Sequence, residues 1–206
     1  MNSLRSWDAA YERGALAWRG TTNFEPKPAI KKGSRVLELG CGNGKNLSAL
    51  FGKGWKLYAV DFSPEAVRQS AELCRKHGEK CFLSVQDVRH LLFRNSFFDA
   101  VICFHLMGHL RKADRRAAVS EIKRVLKKGG LVFIRVFGEA DFRNGKGAKK
   151  GDCFVRKGIS THYFSEKEVA GLFKGWNRVS LGSERWSVSY GGRSLPRHQI
   201  RAVFRR

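Results

Sequence analysis

Two hydrophobic patterns alternate along the first two thirds of the chain, and each predicts a different element. Short apolar runs predict buried strands, whereas apolar residues spaced three or four apart predict amphipathic helices. Strands are predicted at residues 36–39, 56–60, 81–85, 97–103 and 131–134. Helices are predicted at residues 3–18, 45–51, 64–74 and 113–128. Such alternation is typical of an α/β fold in which helices cover both faces of a parallel sheet.

The last third of the chain adds one helix and a strand pair. Residues 165–168 read Ser-Glu-Lys-Glu, a capping box that predicts the start of a helix. Residues 179–188 and 199–204 predict two strands joined around a turn at 190–193. At 206 residues the chain has the size of one domain. We expect an N-terminal helix and linker (1–34), a core (35–137) and a substrate-side C-terminal part (138–206).

A run of glycines follows the first predicted strand. Gly40, Gly42 and Gly44 occupy alternate positions, a spacing that allows a tight turn and a close approach of the backbone to a ligand. Asp61 ends the second predicted strand, where a carboxylate can accept hydrogen bonds from both ribose hydroxyls of a nucleoside. These features predict a nucleoside site at the carboxyl edge of the sheet. The spacing differs from the Gly-x-Gly-x-x-Gly of dinucleotide-binding folds.

The segment from Glu38 to Gly44 resembles motif I of the class I S-adenosylmethionine-dependent methyltransferases. Two further segments fit this resemblance: Asp87 and Val88 are similar to the family's adenine-binding motif, and residues 124–134 to its helix-to-strand junction with paired glycines. The resemblance implies S-adenosylmethionine as cofactor and a seven-stranded Rossmann-like sheet, parallel except for its last strand. It implies the following cofactor-binding residues: Glu38, Gly40, Cys41, Gly42, Asn43, Gly44, Asp61, Phe62, Asp87, Val88 and Phe104.

The N-terminal helix carries an aromatic stripe. In the family that the chain resembles, an N-terminal Trp-Asp-x-x-Tyr segment lies over the cofactor, and Trp7, Asp8 and Tyr11 match that pattern. The resemblance therefore implies Trp7 and Tyr11 as cofactor contacts, with residues 18–20 in the same lid. The alternative is that these aromatic side chains simply pack on the sheet.

Three residues are candidates for catalysis, although no obligatory base is identified. His105 follows the fourth strand, at the sheet edge where α/β enzymes bind their ligands. His162 and Tyr163 precede the last helix, a segment that lines the substrate side in related small methyltransferases. His105 and His109 are four residues apart without an evident third ligand, so we predict no metal site. The five cysteines are scattered and predict neither a zinc site nor a disulfide framework.

The net charge of +22 favours a polyanionic partner, and RNA is the partner we predict. Fifteen of the 40 Lys and Arg residues, but only four of the 18 Asp and Glu residues, follow Phe142. A polar loop at 143–150 is suited to close over an anionic ligand. The helix at 113–128 carries either a phosphate-binding face or a solvated surface with these residues: Arg115, Arg116, Lys123, Lys127 and Lys128.

Three functions fit these features. The first is methyl transfer to tRNA or another RNA, because residues 40–45, the histidines after the fourth strand and the basic C terminus are similar to the methyltransferases that esterify carboxymethyl groups on wobble uridine. Those enzymes usually act with a small activator subunit. The second is a small-molecule or metalloid methyltransferase with the same core. The third is a catalytically silent RNA-binding subunit, against which the intact glycines, Asp61 and Asp87 argue. No segment predicts a signal peptide or membrane span, so we expect a cytoplasmic protein.

Overall fold

The strands and helices alternate along the chain as the hydrophobic pattern predicts. A computed structural model describes residues 4–12 and 24–206. Its helices are α1 (Leu4–Glu12), α2 (Pro64–Lys76), α3 (Lys112–Val125) and α4 (Glu166–Leu172). Its strands are β1 (Arg35–Leu39), β2 (Lys56–Asp61), β3 (Cys81–Val85), β4 (Phe98–Phe104), β5 (Leu126–Phe137), β6 (Ala148–Lys150), β7 (Cys153–Arg156), β8 (Ile159–Thr161), β9 (Asn177–Tyr190) and β10 (Arg193–Arg205). Two short 3-10 helices span Leu47–Leu50 and Met107–His109.

Seven strands form the main sheet in the order β3-β2-β1-β4-β5-β10-β9. The first five pair in parallel, and β10 is antiparallel to both β5 and β9. Only the last strand therefore runs against the others, which confirms the seven-stranded architecture. Because β1, β2 and β4 are parallel, their carboxyl ends meet at one edge, with Asp61 at the end of β2 and Phe104 at the end of β4.

Both faces of the central strands are buried. Successive residues of β1 point to opposite faces: Val36 packs in one hydrophobic cluster, whereas Leu37 packs in the other. Ile122 of α3 belongs to the cluster on the face of Leu37, and Phe24 to the cluster on the face of Val36. This two-sided burial explains why the predicted strands read as continuous apolar runs.

Three sequence-based expectations about local structure are wrong. The helix predicted at 113–128 ends at Val125, and residues 126–128 already belong to β5. The helix predicted at 45–51 is reduced to the single 3-10 turn Leu47–Leu50, because Gly44 and Gly52 on either side adopt left-handed φ angles of +83° and +70°. The loop expected at 143–150 ends in β6, which forms an antiparallel three-stranded sheet with β7 and β8. Strands of three or four residues are too short to show a readable period. Residues 18–20 lie outside the described residues.

Arg115 does not belong to a basic surface on α3. Its side chain is fully buried and donates from Nη1 to Asp152 at 2.6 Å and from Nε to the Met107 carbonyl oxygen at 3.3 Å. The guanidinium carbon also lies 5.1 Å from the centre of the Phe164 ring. Arg115 therefore joins α3 to the small sheet.

Candidate functional site

The glycine loop after β1 has the backbone that its spacing predicts. Gly40, Gly42 and Gly44 adopt φ angles of +73°, +55° and +83°, a region that residues with a Cβ rarely occupy. The amide of Gly40 donates to the carbonyl oxygen of Val60 at 2.8 Å. A Cβ on Gly44 would lie 2.5 Å from a methyl carbon of Leu73. The loop is therefore held closely between the end of β2 and helix α2.

Asp61 joins this loop to the end of β2. Its Oδ2 accepts from the Gly42 amide and its Oδ1 from the Ser63 amide, each at 3.0 Å. Burial raises the pKa of the Asp61 carboxyl, and the two backbone amides oppose that shift. The carboxylate thus lies beside the glycine loop, where a ribose would approach it.

Glu38 is a buried carboxyl group next to the same loop. It is 1% exposed, and neither of its oxygens has a hydrogen-bond partner among residues 4–12 and 24–206. Burial raises the pKa of Glu38 well above its usual range, and the nearby charge of Asp61 raises it further. An unpaired buried carboxyl fits a ligand that brings a hydrogen-bond donor or a positive charge.

Helix α1 covers the glycine loop. A Cβ built on Gly42 would lie 2.9 Å from the Tyr11 hydroxyl, and burial followed by the charge of Asp61 raises the pKa of Tyr11. Trp7 stacks on Tyr11 with ring centres 5.9 Å apart and meets His109 edge-on at 4.9 Å. The structure thus places Tyr11 against the glycine loop and Trp7 against Tyr11 and His109. Contact of these two residues with a cofactor stays a prediction.

Two further contacts tie α1 to α2. Ser63, the N-cap of α2, donates from its hydroxyl to the carboxylate of Asp8. Gln69 donates from its side-chain amide to the Tyr11 carbonyl oxygen at 3.2 Å. Helix α1 is therefore held in place by hydrogen bonds to the start of α2 as well as by the packing of Trp7 on His109.

Three further expected cofactor residues are Cys41 and Asn43 in the glycine loop and Phe62, which follows β2 directly. The thiol of Cys41 is buried, and burial followed by the charge of Asp61 raises its pKa. Asn43 and Phe62 are half-buried. A protonated, buried thiol is no nucleophile, so Cys41 contributes shape rather than reactivity.

Three expected cofactor residues have side chains engaged elsewhere. Asp87 accepts from Arg89 Nε at 2.9 Å, and this bond lowers the pKa of Asp87. Val88 packs in the core, and the Phe104 ring lies 5.4 Å from the ring of Phe24. A ligand at the carboxyl ends of the strands would therefore share the Asp87 carboxylate with Arg89. It would contact Val88 and Phe104 through their backbone atoms, because their side chains pack in the core.

His105 has an unusual conformation at the end of β4. Its φ is +62° and its amide donates to the Arg135 carbonyl oxygen at 2.7 Å. The ring of this half-buried residue stacks on Phe137 at 4.2 Å, and its buried Nδ1 has no partner within the described ranges. Burial lowers the pKa of His105 to about 3. The imidazole is therefore neutral near pH 7 and can accept a hydrogen bond, but its low pKa disfavours the uptake of a proton.

His162 and Tyr163 do not share one environment. His162 has both ring nitrogens engaged: Nδ1 lies 2.6 Å from the Asp152 carbonyl oxygen and Nε2 lies 2.8 Å from Glu168 Oε2. Tyr163 lies beside Phe137, at 6.4 Å between ring centres, and burial raises its pKa. The structure thus brings Tyr163 to the surroundings of His105 and places His162 in the network that supports α4.

One group of potential metal ligands occurs in this network. Asp152, Cys153 and His162 offer ligand atoms that lie within 4.8 Å of one another. The guanidinium of Arg115, however, already lies 2.6 Å from Asp152 and 3.6 Å from the sulfur of Cys153. Because this buried cation balances the local negative charge, the cluster fits a structural ion-pair network better than a metal centre.

Sequence reasoning missed one further feature at the site. Asp141, whose side chain is fully buried, accepts from Arg143 Nε at 2.7 Å and from Arg197 Nε at 2.8 Å. Both guanidinium groups lie over the ring of Phe137, at 4.0 and 5.6 Å from its centre. The sequence signal was the position of Asp141 just before the basic segment 143–150. Its second partner, Arg197, is 56 residues away in the chain and could not be identified from the sequence.

Residues 36–130 match the family model described as a methyltransferase domain. The match covers the glycine loop, Asp61, Asp87 and His105, and leaves the C-terminal part outside.

In the parts of the chain that the structure describes, we find no helix of the length and apolarity needed to cross a membrane.

Three curated proteins illustrate the similarity. The tRNA N(3)-cytidine methyltransferase METTL2 of Gallus gallus is 26% identical over 165 residues, which cover 73% of this chain and 44% of that protein. The tRNA (carboxymethyluridine(34)-5-O)-methyltransferase alkbh8 of Xenopus tropicalis is 34% identical over 120 residues, 57% of this chain and 18% of that protein. The ubiquinone biosynthesis O-methyltransferase of Xylella fastidiosa is 33% identical over 107 residues, 50% of this chain and 41% of that protein. The chain spans less than half the length of these relatives.

Solved structures share the fold. An S-adenosylmethionine-dependent methyltransferase from Methanosarcina mazei superposes with a TM-score of 0.75 at 20% identity, covering 90% of this chain and 99% of that one. The 1,6-didemethyltoxoflavin-N1-methyltransferase of Burkholderia thailandensis, solved with bound S-adenosylhomocysteine, gives a TM-score of 0.70 at 20% identity and covers 98% and 86% of the two chains.

Proposed function

We propose that this chain, whose residues 36–130 match a methyltransferase domain, transfers a methyl group from S-adenosylmethionine to tRNA or another RNA. The observation that carries the transferase activity is the glycine loop, bonded to Asp61 and lying beside the buried, unpaired carboxyl of Glu38. These two carboxyl groups can accept hydrogen bonds from a nucleoside with hydroxyl groups and a positively charged chain.

The cofactor supplies an electrophilic methyl carbon, so the protein mainly has to orient the acceptor and exclude water. Asp61 and the loop amides bind and orient. Trp7 and Tyr11 cover the loop and keep water out. His105 offers a neutral, unpaired Nδ1 at the end of β4. With a pKa of about 3 it is not a base near pH 7, so it can orient an acceptor by accepting a hydrogen bond but does not take its proton.

Two observations support RNA as the acceptor. The net charge of +22 attracts a polyanion, and half of it lies in the last 64 residues, so the C-terminal part carries about twice as much positive charge per residue as the rest. Two of the relatives described above are named as tRNA methyltransferases. The similarity to carboxymethyluridine enzymes makes a small activator subunit a further prediction, and a cytoplasmic location goes with a tRNA substrate.

A small-molecule acceptor is the second candidate. It is favoured by the similarity of half the chain to a ubiquinone biosynthesis O-methyltransferase at 33% identity. In that case the basic C-terminal part would be an ordinary solvated surface, and affinity for RNA would be weak and nonspecific.

A transfer assay separates the two. The protein is incubated with methyl-labelled S-adenosylmethionine and either total tRNA or a protein-free metabolite extract. We expect label in the tRNA that ribonuclease releases as one modified nucleoside. Label only in the metabolite fraction would replace the RNA proposal, and no binding of S-adenosylhomocysteine by calorimetry to the folded protein would overturn the transferase itself.

A further inference from the structure

A row of alternating aromatic rings and guanidinium groups leads from the candidate site to the outer edge of the main sheet. We call it the cation-aromatic ladder: Phe142, Arg143, Phe137, Arg197 and Trp186. Building on the RNA acceptor proposed above, we propose that this ladder binds a single-stranded segment of the RNA by stacking its bases and pairing with its phosphates.

The ladder is continuous at contact distance. The Arg143 guanidinium lies 4.0 Å from the Phe137 ring centre and 5.8 Å from that of Phe142. Arg197 lies between two rings, 5.6 Å from Phe137 and 5.4 Å from Trp186. Since Phe137, the middle member of the ladder, stacks on His105 at 4.2 Å, the ladder adjoins the carboxyl end of β4.

A buried carboxylate holds the two arginines in place. Asp141 accepts from both Arg143 and Arg197, while their side chains keep 27% and 20% of their surface exposed. The bond from Arg197 uses Nε, so the terminal nitrogens of its guanidinium are not used in it. Two cations on one carboxylate leave a net positive charge, and fixed guanidinium groups lose less entropy when they bind phosphate.

The outer end of the ladder is exposed. Trp186 keeps 41% of its surface accessible on β9, which is the edge strand of the sheet. It lines a shallow groove with Arg185, Pro196 and Arg197. The nearest acidic residue of that strand, Glu184, is paired with Arg201 at 2.6 Å. An exposed indole among cations matches the platforms on which single-stranded nucleic acids stack their bases.

The alternation of rings and charges selects the form of the ligand. In a duplex the base faces are covered by their neighbours, so only the cations of the ladder would contribute. An acidic protein would likewise use the charges without needing the indole. Unpaired bases use both components, and a loop or end of an RNA carries them next to phosphates.

The test compares two exposed aromatic residues at opposite edges of the sheet. Trp186→Ala removes the outer ring of the ladder, and Phe82→Ala on β3, where the side chain is 60% exposed, is the matched control. Binding of a fluorescent single-stranded oligoribonucleotide and of its duplex is followed by anisotropy. We expect Trp186→Ala to weaken single-strand binding by about five-fold or more, the lower end for loss of one stacked base, and Trp186→Tyr to restore most of it. Phe82→Ala should bind like the wild type.

The outcomes separate the ladder from the proposed function. Single-strand binding by Trp186→Ala that equals the wild type overturns the ladder, as does an equal loss in both alanine variants or duplex binding that depends on Trp186. If Trp186→Ala binds the single strand like the wild type and also methylates RNA at the wild-type rate, the proposed ladder is wrong and the RNA acceptor stands. If the wild type binds S-adenosylhomocysteine but no RNA, the RNA acceptor is wrong and the ladder with it.

Discussion

The carboxyl ends of the strands carry two groups of residues. The cofactor side consists of the glycine loop and Asp61, and the proposed acceptor side consists of Asp141 and the ladder. The two sides are built in different ways. On the cofactor side, Gly42 and Asp61 are 19 residues apart, and the bond between them uses a backbone amide. On the acceptor side, Asp141 and Arg197 are 56 residues apart and meet only through side chains. The first side needs a particular backbone, whereas the second needs a particular register of β10 against β5. The difference explains why glycines indicate the methyl donor in the sequence, whereas the proposed acceptor site is built from charged side chains that are distant in the sequence.

Gly42→Ala should break the cofactor side with the largest effect. A left-handed φ costs a residue with a Cβ about 1–2 kcal/mol, and the new methyl group would lie 2.9 Å from the Tyr11 hydroxyl. We expect calorimetry to show a loss of at least about 30-fold in affinity for S-adenosylhomocysteine, about 2 kcal/mol. Gly52→Ala is the control, since its φ is +70° but nothing lies within 4 Å of its Cβ. Equal losses of affinity in both variants would contradict the role of the loop.

Asp61→Asn should weaken the same ligand without removing the loop. The amide keeps the size of the side chain but cannot accept on both sides, so we expect about a ten-fold loss of affinity, about 1.4 kcal/mol. Asp99→Asn is the matched control. Asp99 lies at the amino end of β4, away from the glycine loop, and accepts from the Arg35 amide at 2.8 Å. Unchanged binding by Asp61→Asn would exclude Asp61 from the cofactor site.

Asp141→Asn should break the acceptor side and leave cofactor binding intact. Burial raises the pKa of Asp141, but the bonds from Arg143 and Arg197 outweigh it and hold the pKa below its usual range. Its contribution is therefore present above the unfolded pKa of about 4 and is lost as the pH falls through the folded value. We expect the variant to lose about 1 kcal/mol in urea unfolding at neutral pH, with a smaller difference in acid. A constant difference across this range would contradict the ionised state of Asp141.

Glu38→Gln should produce the smallest effect, a change in how steeply the free energy of unfolding depends on pH. Since burial raises the folded pKa of Glu38, the folded protein binds more protons than the unfolded chain between the two pKa values. The free energy of unfolding of the ligand-free protein should therefore fall with rising pH from about 4.3 upward. Urea unfolding of Glu38→Gln should lack this part of the slope. Identical pH dependence in both proteins would show that Glu38 is paired in solution.

The cofactor side was the predictable part of the molecule. Alternating glycines followed by an acidic residue after the next strand are local signals, because each reports the backbone that its own position needs. Arg115 illustrates the opposite case: its helix position suggests a basic surface, and only the small sheet that follows buries it against Asp152. The ladder could not be predicted because Trp186 and Phe137 come together through strand pairing.

The most direct measurement is a methyl-transfer assay on RNA in which S-adenosylmethionine and RNA concentrations are varied separately. We predict ribonuclease-sensitive label with the wild type, a raised KM for S-adenosylmethionine alone in Asp61→Asn, and a raised KM for RNA alone in Trp186→Ala. This pattern would assign the donor and the acceptor to the two sides of the sheet edge. Label confined to small metabolites, or both variants affecting the same substrate, would contradict it.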